Sequence, residues 1–328
     1  MAQFNPNDFS RFSNFDILTT TYKTASSHQI STDILIPKSL TNRTTSPESS
    51  PILLRIHGGG FVSGSSLFPD FFAPWHLELA SRHLAIIVSP NYRLTPESSI
   101  NNIMRDIEDL WIWVLAELPT FVREQTNGTI RVDTSRIMTS GDSAGGYLSL
   151  MLGLNHPDDI RAVTAAYPFV DGKSGHFTEA YEKPMFGFPH LPVYLLDEHL
   201  AKIGKGEVPS IISADPTLER ARLMFSMVQN AGYKNLFPAE RRDLFILDRL
   251  DDGARFPSGG VFVWHGKGDT VVPVEGSVKL MNKVSEVDAD AKFYLAIEEG
   301  EHGFDATAKI DDKWMAGGLK DLVTAWLA

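Results

Sequence analysis

A serine flanked by glycines is the first feature of this sequence that could do covalent chemistry. The segment Gly141-Asp142-Ser143-Ala144-Gly145-Gly146 follows one short apolar run and precedes another, so we expect it to form a strand-to-helix turn. Such a turn exposes the hydroxyl at a helix N-terminus, where the helix dipole stabilises negative charge. The pattern predicts that Ser143 is a nucleophile, with a serine-capped glycine turn as the structural alternative.

A serine hydroxyl attacks only when a base removes its proton, so a histidine must lie near Ser143 in the fold. Of the ten histidines, six follow this serine in the sequence: His156, His176, His190, His199, His265 and His302. His302 alone lies just after the last predicted strand. We expect His302 to be the base, and the other five to be structural or to line the substrate pocket.

An acidic residue must orient the histidine and stabilise the imidazolium that forms. Asp269 follows the predicted strand 261–265 through a Gly-Lys-Gly turn, which places its carboxylate at the carboxyl end of that strand. A simple turn aspartate is the alternative interpretation. The other acidic candidates, which we consider weaker, are Glu275, Asp248, Asp251 and Asp252.

Three consecutive glycines, Gly58 to Gly60, follow His57 at the end of the apolar run 52–56. Backbone N–H groups without side chains can approach a substrate closely, and each fixed donor at a developing oxyanion contributes about 10²–10³ in rate. We expect Gly59 and Gly60 to supply two such donors and Ala144 to supply a third. A flexible loop is the alternative.

The remaining sequence predicts the elements that position these residues. Predicted strands comprise an antiparallel hairpin at 16–23 and 29–37 and buried strands at 52–56, 84–88, 136–139, 163–167, 261–265 and 292–297. Predicted helices cover 98–118, 147–154, 274–287 and 314–327. Strands alternating with helices predict an α/β fold with a mainly parallel central sheet flanked by helices.

One long segment has no clear interior strand. Residues 170–257 are rich in aromatic residues, Pro and Gly. A structureless loop of that length is unusual in a compact domain, so we predict a mostly helical cap inserted into the fold. Residues 1–169 and 258–328 would then form one catalytic domain.

Composition excludes several classes of function. The chain has 328 residues and a formal net charge of -11, which disfavours nucleic acid as a partner. With no cysteine, it has neither disulfides nor a thiolate nucleophile or metal ligand. We expect no cofactor, no metal and no membrane span. Because residues 1–10 lack the pattern of a secretory signal, we expect a cytoplasmic location.

Five motifs in order resemble the hormone-sensitive-lipase-like carboxylesterases of the α/β-hydrolase fold. They are His57-Gly58-Gly59-Gly60-Phe61, the segment Asn91 to Glu97, the segment Gly141 to Gly146, Asp269 with Val272-Pro273, and His302-Gly303-Phe304. The resemblance implies Ser143 as nucleophile, His302 as base and Asp269 as its orienting acid. It also implies an oxyanion hole at Gly59, Gly60 and Ala144, with His57 bracing the loop.

The chain departs from that family in three places. Asn91 and Thr95 stand where the family often has Asp and Ala. The segment before the first predicted strand is also short, whereas many relatives use a longer helical N-terminal part in their cap. The cap must then come mainly from residues 170–257, so substrate preference is not transferable.

These observations predict a serine hydrolase that cleaves small to medium carboxylic esters with apolar parts. Aromatic residues could line its pocket or simply pack in the core: Phe61, Phe68, Phe71, Phe72, Trp75, Phe186, Phe188 and Tyr194. A lactonase, an acyltransferase or a tailoring hydrolase of a biosynthetic pathway would use the same triad. A non-catalytic ligand receptor on this scaffold is a further alternative. We expect a small-molecule ester as the ligand and leave a homodimer open.

Overall fold

A single mixed sheet forms the centre of the computed structural model, which describes residues 5–41 and 49–328. Within these residues its strands are β1 (Phe15–Ala25), β2 (His28–Pro37), β3 (Ser50–Ile56), β4 (Ile86–Pro90), β5 (Val132–Gly141), β6 (Ala162–Ala166), β7 (Val261–Gly266) and β8 (Phe293–Glu298). Their order across the sheet is β1-β2-β4-β3-β5-β6-β7-β8. The β1–β2 and β2–β4 pairs are antiparallel and the other five pairs are parallel. The prediction of a mainly parallel α/β sheet is confirmed.

Helices cover both faces of this sheet. They are α1 (Lys38–Thr41), α2 (Pro74–His83), α3 (Ile100–Ala116), α4 (Leu118–Gln125), α5 (Ala144–Asn155), α6 (Gly175–Thr178), α7 (Tyr194–Lys205), α8 (Ala221–Gln229), α9 (Tyr233–Leu236), α10 (Ile246–Asp251), α11 (Glu275–Val287) and α12 (Lys313–Leu327). Side chains of β3 alternate between two apolar cores. Leu54 packs in a core with α3, α5 and α11, whereas Leu53 packs on the opposite face with α2 and α12. Every residue of β3 is buried, which the continuous apolar run predicts.

The structure corrects two details of the sequence interpretation. Leu84 ends α2 with a left-handed backbone (φ 52°) and does not begin the following strand, which starts at Ile86. Helix α2 was not predicted. Its first residue is Pro74, which is compatible with the first turn of a helix because the missing N–H would have no partner there.

Residues 170–257 contain α6 to α10 and, as described by the structure, contribute no strand to the central sheet. The segment leaves the carboxyl end of β6 and returns to the amino end of β7. These two strands are direct neighbours, with Val163 paired to Val261. No helix of the described residues is long and apolar enough to cross a membrane.

Candidate active site

Ser143 occupies a strained turn between β5 and α5. Its backbone has φ 54° and ψ -117°, a conformation that costs a non-glycine residue on the order of 1–3 kcal/mol. The turn is so tight that a Cβ atom added to Gly145 would lie 2.1 Å from the Ile56 carbonyl oxygen. A glycine is therefore required two residues after the serine, as the motif suggests.

The carboxylate of Asp269 holds the ring of His302. These residues follow the neighbouring strands β7 and β8, and the Nδ1 atom of His302 lies 2.6 Å from Oδ2 of Asp269. The other carboxylate oxygen, Oδ1, accepts the N–H groups of Val271 at 2.9 Å and Val272 at 2.8 Å. With Nδ1–H donating to the carboxylate, Nε2 is left as the basic nitrogen of the ring.

Electrostatics favour a charged pair at this position. Burial lowers the pKa of His302, but the negative charge of Asp269, its hydrogen bond and the charge of Asp142 together raise that pKa above its ordinary value. Burial raises the pKa of Asp269, but the charge of His302 and hydrogen bonds from His265 and His302 bring it well below its usual range. The site therefore stabilises an imidazolium beside a carboxylate, which is the state that proton removal from a serine creates.

Ser143 and His302 both lie against residues 166–167 at the end of β6. The Ser143 N–H donates to the Ala166 carbonyl at 2.9 Å. The ring of Tyr167 lies 4.4 Å from the His302 ring between centroids. The structure thus places the predicted nucleophile after β5, the predicted acid after β7 and the predicted base after β8, all at the carboxyl edge of the sheet.

The predicted oxyanion donors belong to two backbone segments that meet at this edge of the sheet. Gly59 and Gly60 have positive φ angles of 104° and 62°, which glycine adopts without strain. Among the residues that the structure describes, the N–H groups of Gly59, Gly60 and Ala144 donate no hydrogen bond. The N–H of Gly58 differs because it donates to Oδ2 of Asp142 at 3.0 Å. Gly58 is therefore committed to a structural contact.

His57 packs beneath the glycine loop. Its Nδ1–H donates to the Gly58 carbonyl at 2.7 Å, and its ring stacks on Tyr92 with centroids 4.3 Å apart. The Tyr92 hydroxyl donates to the His57 carbonyl at 2.8 Å. Complete burial lowers the pKa of His57 to about 3, so the ring is neutral. These contacts fit the bracing role that the family resemblance implies.

A buried ion pair joins the glycine loop to the serine turn, and the sequence analysis missed it. Arg55 on β3 is fully buried, and its Nη2 donates to Oδ1 of Asp142 at 2.9 Å. Burial raises the pKa of Asp142, and the charge of Arg55 opposes that rise, so the pKa lies at about 6. One signal was available in the sequence: Arg55 is a charged residue inside an otherwise apolar strand.

Two more residues brace the acid and the base. Fully buried His265, assigned from sequence only to a structural or pocket role, lies with Nε2 3.2 Å from Oδ2 of Asp269. Glu301 accepts the Thr270 N–H at 2.6 Å and the His302 N–H on the same oxygen at 2.9 Å. Its other oxygen accepts the Thr270 hydroxyl at 2.8 Å. Glu301 thus ties the loop after β7 to the loop after β8.

The aromatic residues predicted as pocket or core candidates separate into two groups. Of those that follow the glycine loop, Phe61, Phe68, Phe72 and Trp75 are at most 1% exposed and pack in the core, whereas Phe71 is partly exposed. In contrast, Phe186 is 41% exposed, Phe188 is 37% exposed and Tyr194 is 52% exposed. The Phe186 ring lies 6.2 Å from the His302 ring between centroids. An exposed aromatic surface therefore adjoins the base.

No group of three or more His, Asp and Glu side chains within 5–41 and 49–328 is arranged to hold a metal ion.

Known proteins resemble this chain in sequence and in fold. A family model of the α/β-hydrolase fold matches residues 53–194. A probable carboxylesterase from Phoma sp. is 26% identical over 321 residues, covering 97% of this chain and 98% of that protein. A non-reducing polyketide synthase from Preussia isomera is 26% identical over 324 residues, covering 91% of this chain but only 14% of that much longer protein.

Solved structures of esterases share the architecture. One from a study of two fungal esterases from Rhizomucor miehei superposes with a TM-score of 0.60 at 19% identity. The superposition covers 98% of this chain and 85% of that one. A bacterial heroin esterase superposes with a TM-score of 0.59 at 17% identity, covering 98% and 86% of the two chains. At these identities the likeness is one of fold.

Proposed function

Because the chain belongs to the hormone-sensitive-lipase-like carboxylesterases of the α/β-hydrolase fold, we propose that it hydrolyses carboxylic esters through an acyl-enzyme on Ser143. The contact between His302 and Asp269 carries this proposal. It leaves a basic ring nitrogen on His302, whose ring lies against Tyr167 at the end of β6, next to Ala166, whose carbonyl accepts the Ser143 N–H.

In the proposed reaction, the Ser143 hydroxyl oxygen attacks the ester carbonyl carbon while Nε2 of His302 accepts the hydroxyl proton. The carbonyl oxygen becomes an oxyanion that accepts hydrogen bonds from the N–H groups of Gly59, Gly60 and Ala144. When the carbon–oxygen bond to the alcohol breaks, His302 returns the proton to the departing alkoxide. A water molecule then repeats the cycle on the acyl-enzyme and releases the acid.

Asp269 keeps Nδ1 of His302 protonated and compensates the positive charge of the imidazolium. Residues 170–257 form the cap in this proposal, and residues 1–169 and 258–328 form the catalytic domain. The exposed ring of Phe186 supports a substrate with apolar parts, because it offers apolar contact area next to His302. We propose small to medium esters as substrates.

Hydrolysis of p-nitrophenyl esters from acetate to palmitate tests the reaction and the size preference together. Ser143→Ala should abolish turnover and labelling by a fluorophosphonate probe. Ser285→Ala, which changes an exposed serine on α11, is the matched control and should retain both. Undiminished turnover in Ser143→Ala would rule out the acyl-enzyme, and activity restricted to palmitate would rule out the size preference.

A second candidate is acyl transfer or tailoring hydrolysis within a biosynthetic pathway. The alignment of 91% of this chain with one part of a polyketide synthase favours it. The same acyl-Ser143 would then form from a thioester or pass its acyl group to an alcohol. An acyl N-acetylcysteamine thioester, assayed beside the matching p-nitrophenyl ester and with a competing alcohol, tests the second candidate by product analysis. A new ester supports acyl transfer, free acid from the thioester supports tailoring hydrolysis, and turnover of the p-nitrophenyl ester alone supports ordinary ester hydrolysis.

The cytoplasmic location predicted from the sequence belongs to this proposal, and a homodimer stays open. Cell fractionation and analytical ultracentrifugation test them.

A further inference from the structure

The loop that carries the predicted oxyanion donors is held from outside the central sheet. Three residues of the described 170–257 segment form hydrogen bonds with it. The Tyr233 hydroxyl donates to the Gly60 carbonyl at 2.7 Å, and Nε of Arg220 donates to the Val62 carbonyl at 2.7 Å. Asp215 accepts the Ser63 hydroxyl at 2.9 Å. Its own N–H donates to the Gly64 carbonyl at 2.8 Å.

Arg220 has the most extensive set of contacts among the three. Its Nη1 lies 2.9 Å from Oε1 of Glu97, and its Nη2 lies 2.6 Å from Oε2, so the pair is bidentate. Nη2 also donates to the Thr95 carbonyl at 2.8 Å. Nε2 of His199 on α7 lies 2.6 Å from the same carboxylate. One guanidinium thus joins three segments: the glycine loop, the segment after β4 and the start of α8.

Burial makes this ion pair strong. The Glu97 side chain has no exposed area, and the Arg220 side chain is 11% exposed. Burial raises the pKa of Glu97, but the hydrogen bond and the charge of Arg220 lower it further than burial raises it. The carboxylate is therefore ionised, and charge-assisted bidentate contacts of this kind fix geometry better than exposed ion pairs do.

Arg220 is itself fixed by the backbone. Asp215 accepts the N–H groups of Glu219 and Arg220 at 3.0 Å each, which defines the turn that begins α8. The Arg220 side chain is therefore fixed at its backbone by this turn and at its guanidinium by Glu97.

We infer that Arg220 is a positioning residue that fixes the oxyanion loop in its donating conformation. It acts through the Val62 and Thr95 carbonyls. Glycine-rich loops have more conformational freedom than other loops, and Gly59 and Gly60 need an external constraint to hold both N–H groups toward one point. The 170–257 segment is then a structural part of the oxyanion hole, so a lid that opens as a whole is incompatible with it.

The effect on catalysis rests on the proposed function, whereas the effect on the loop does not. Arg220→Gln removes the charge and the bidentate geometry, and Arg220→Lys keeps the charge alone. Arg222→Gln is the matched control, because Arg222 is exposed on the same helix. Tyr233→Phe removes one hydrogen bond to the same loop and tests the inference independently of the fold of the Arg220 variants.

Hydrogen–deuterium exchange of the peptide spanning residues 58–64 is the first measurement. We expect faster exchange in Arg220→Gln and Tyr233→Phe, intermediate exchange in Arg220→Lys, and wild-type exchange in Arg222→Gln. Unchanged exchange in the first two variants would overturn the inference, whether or not the wild-type protein hydrolyses esters.

Ester kinetics and a trifluoromethyl ketone inhibitor supply the second measurement. The hemiketal formed by the ketone places an oxyanion in the hole. We expect kcat to fall about tenfold or more in Arg220→Gln, which does not exceed the loss of about 10²–10³-fold that removal of one oxyanion donor causes. KM should change about twofold at most. The Ki of the ketone should rise in parallel with the loss of kcat. A change confined to KM or to thermal stability contradicts a positioning role. Absence of turnover in the wild type would reject the proposed function instead.

Discussion

The Nδ1 atom of His302 lies 2.6 Å from Oδ2 of Asp269, and the pKa of that histidine is raised although its burial opposes the rise. Since the proposed base must be neutral, activity should increase as the pH rises through the His302 pKa. We predict that the acid limb of a kcat/KM profile for a short p-nitrophenyl ester has an apparent pKa above 6.5. An apparent pKa at or below 6.5 would contradict the stabilisation of the His302 imidazolium by Asp269.

Removal of the Asp269 charge should lower both kcat and the apparent pKa of the activity profile. We expect Asp269→Asn to lower kcat by about 10³–10⁴, because the amide no longer fixes the required tautomer of His302. The apparent pKa of the residual activity should fall, since a charge that raises it is gone. Asp290→Asn changes an exposed aspartate and serves as the control. A residual profile with an unchanged pKa would assign the titration to another group.

Glu301 should matter for the rate because it accepts hydrogen bonds from both Thr270 and His302. Glu301→Ala frees the two loops from each other, and small displacements of a base cost up to about a hundredfold. We predict a kcat that is lower by about ten- to hundredfold, with partial recovery in Glu301→Gln. Glu299→Ala is the matched control, since that side chain is 86% exposed and pairs with Lys267 at the surface. Equal rates for the two alanine variants would exclude a positioning role of Glu301.

Two glycine substitutions should have opposite effects on stability. A Cβ atom at Gly145 would meet the Ile56 carbonyl at 2.1 Å, and backbone cannot move aside cheaply. Gly145→Ala should therefore lower the free energy of unfolding by about 3 kcal/mol or more. A Cβ atom at Gly317 on α12 would meet nothing within 4 Å. Gly317→Ala should therefore raise the free energy of unfolding by about 0.5–1 kcal/mol. Urea titrations measure both, and a stable Gly145→Ala variant would contradict the close approach of β3 and α5.

Asp142 should make stability depend on pH. Its pKa in the folded protein is raised to about 6, so its contribution is fully present below the unfolded pKa of about 3.9 and is lost as the pH rises through about 6. Asp142→Asn removes this titration. Between pH 5 and 7 the free energy of unfolding of the wild type should therefore fall by about 1 kcal/mol more than that of the variant.

Urea titrations at the two pH values measure this difference. Asp158→Asn, at an exposed position, should behave as the wild type does. Parallel pH profiles for wild type and Asp142→Asn would show that Arg55 keeps Asp142 ionised throughout.

Local sequence patterns predicted the strands and the turn at Ser143 because those features depend on neighbouring residues, whereas Asp269 and His302 were selected by their positions after predicted strands. The apolar run at 52–56 specifies a buried strand by itself, and the glycines around Ser143 specify a tight turn by themselves. Glu301 and Arg220 were not found, since their roles depend on partners that only the tertiary structure brings near. Nothing in the residues around Arg220 indicates that Val62 and Glu97 lie within hydrogen-bond distance of it.

The crossover between β6 and β7 also bears on how proteins of this shape can be recombined. Its two ends join adjacent strands whose register is fixed by pairs such as Val163 with Val261. An exchange of residues 170–257 with those of a relative would therefore leave the pairing of β6 with β7 intact. The contacts of Asp215, Arg220 and Tyr233 with the glycine loop do not depend on that pairing and would be lost if the new segment lacked these residues. A chimaera that aims at a new substrate range must therefore inherit these three side chains with the transplanted segment.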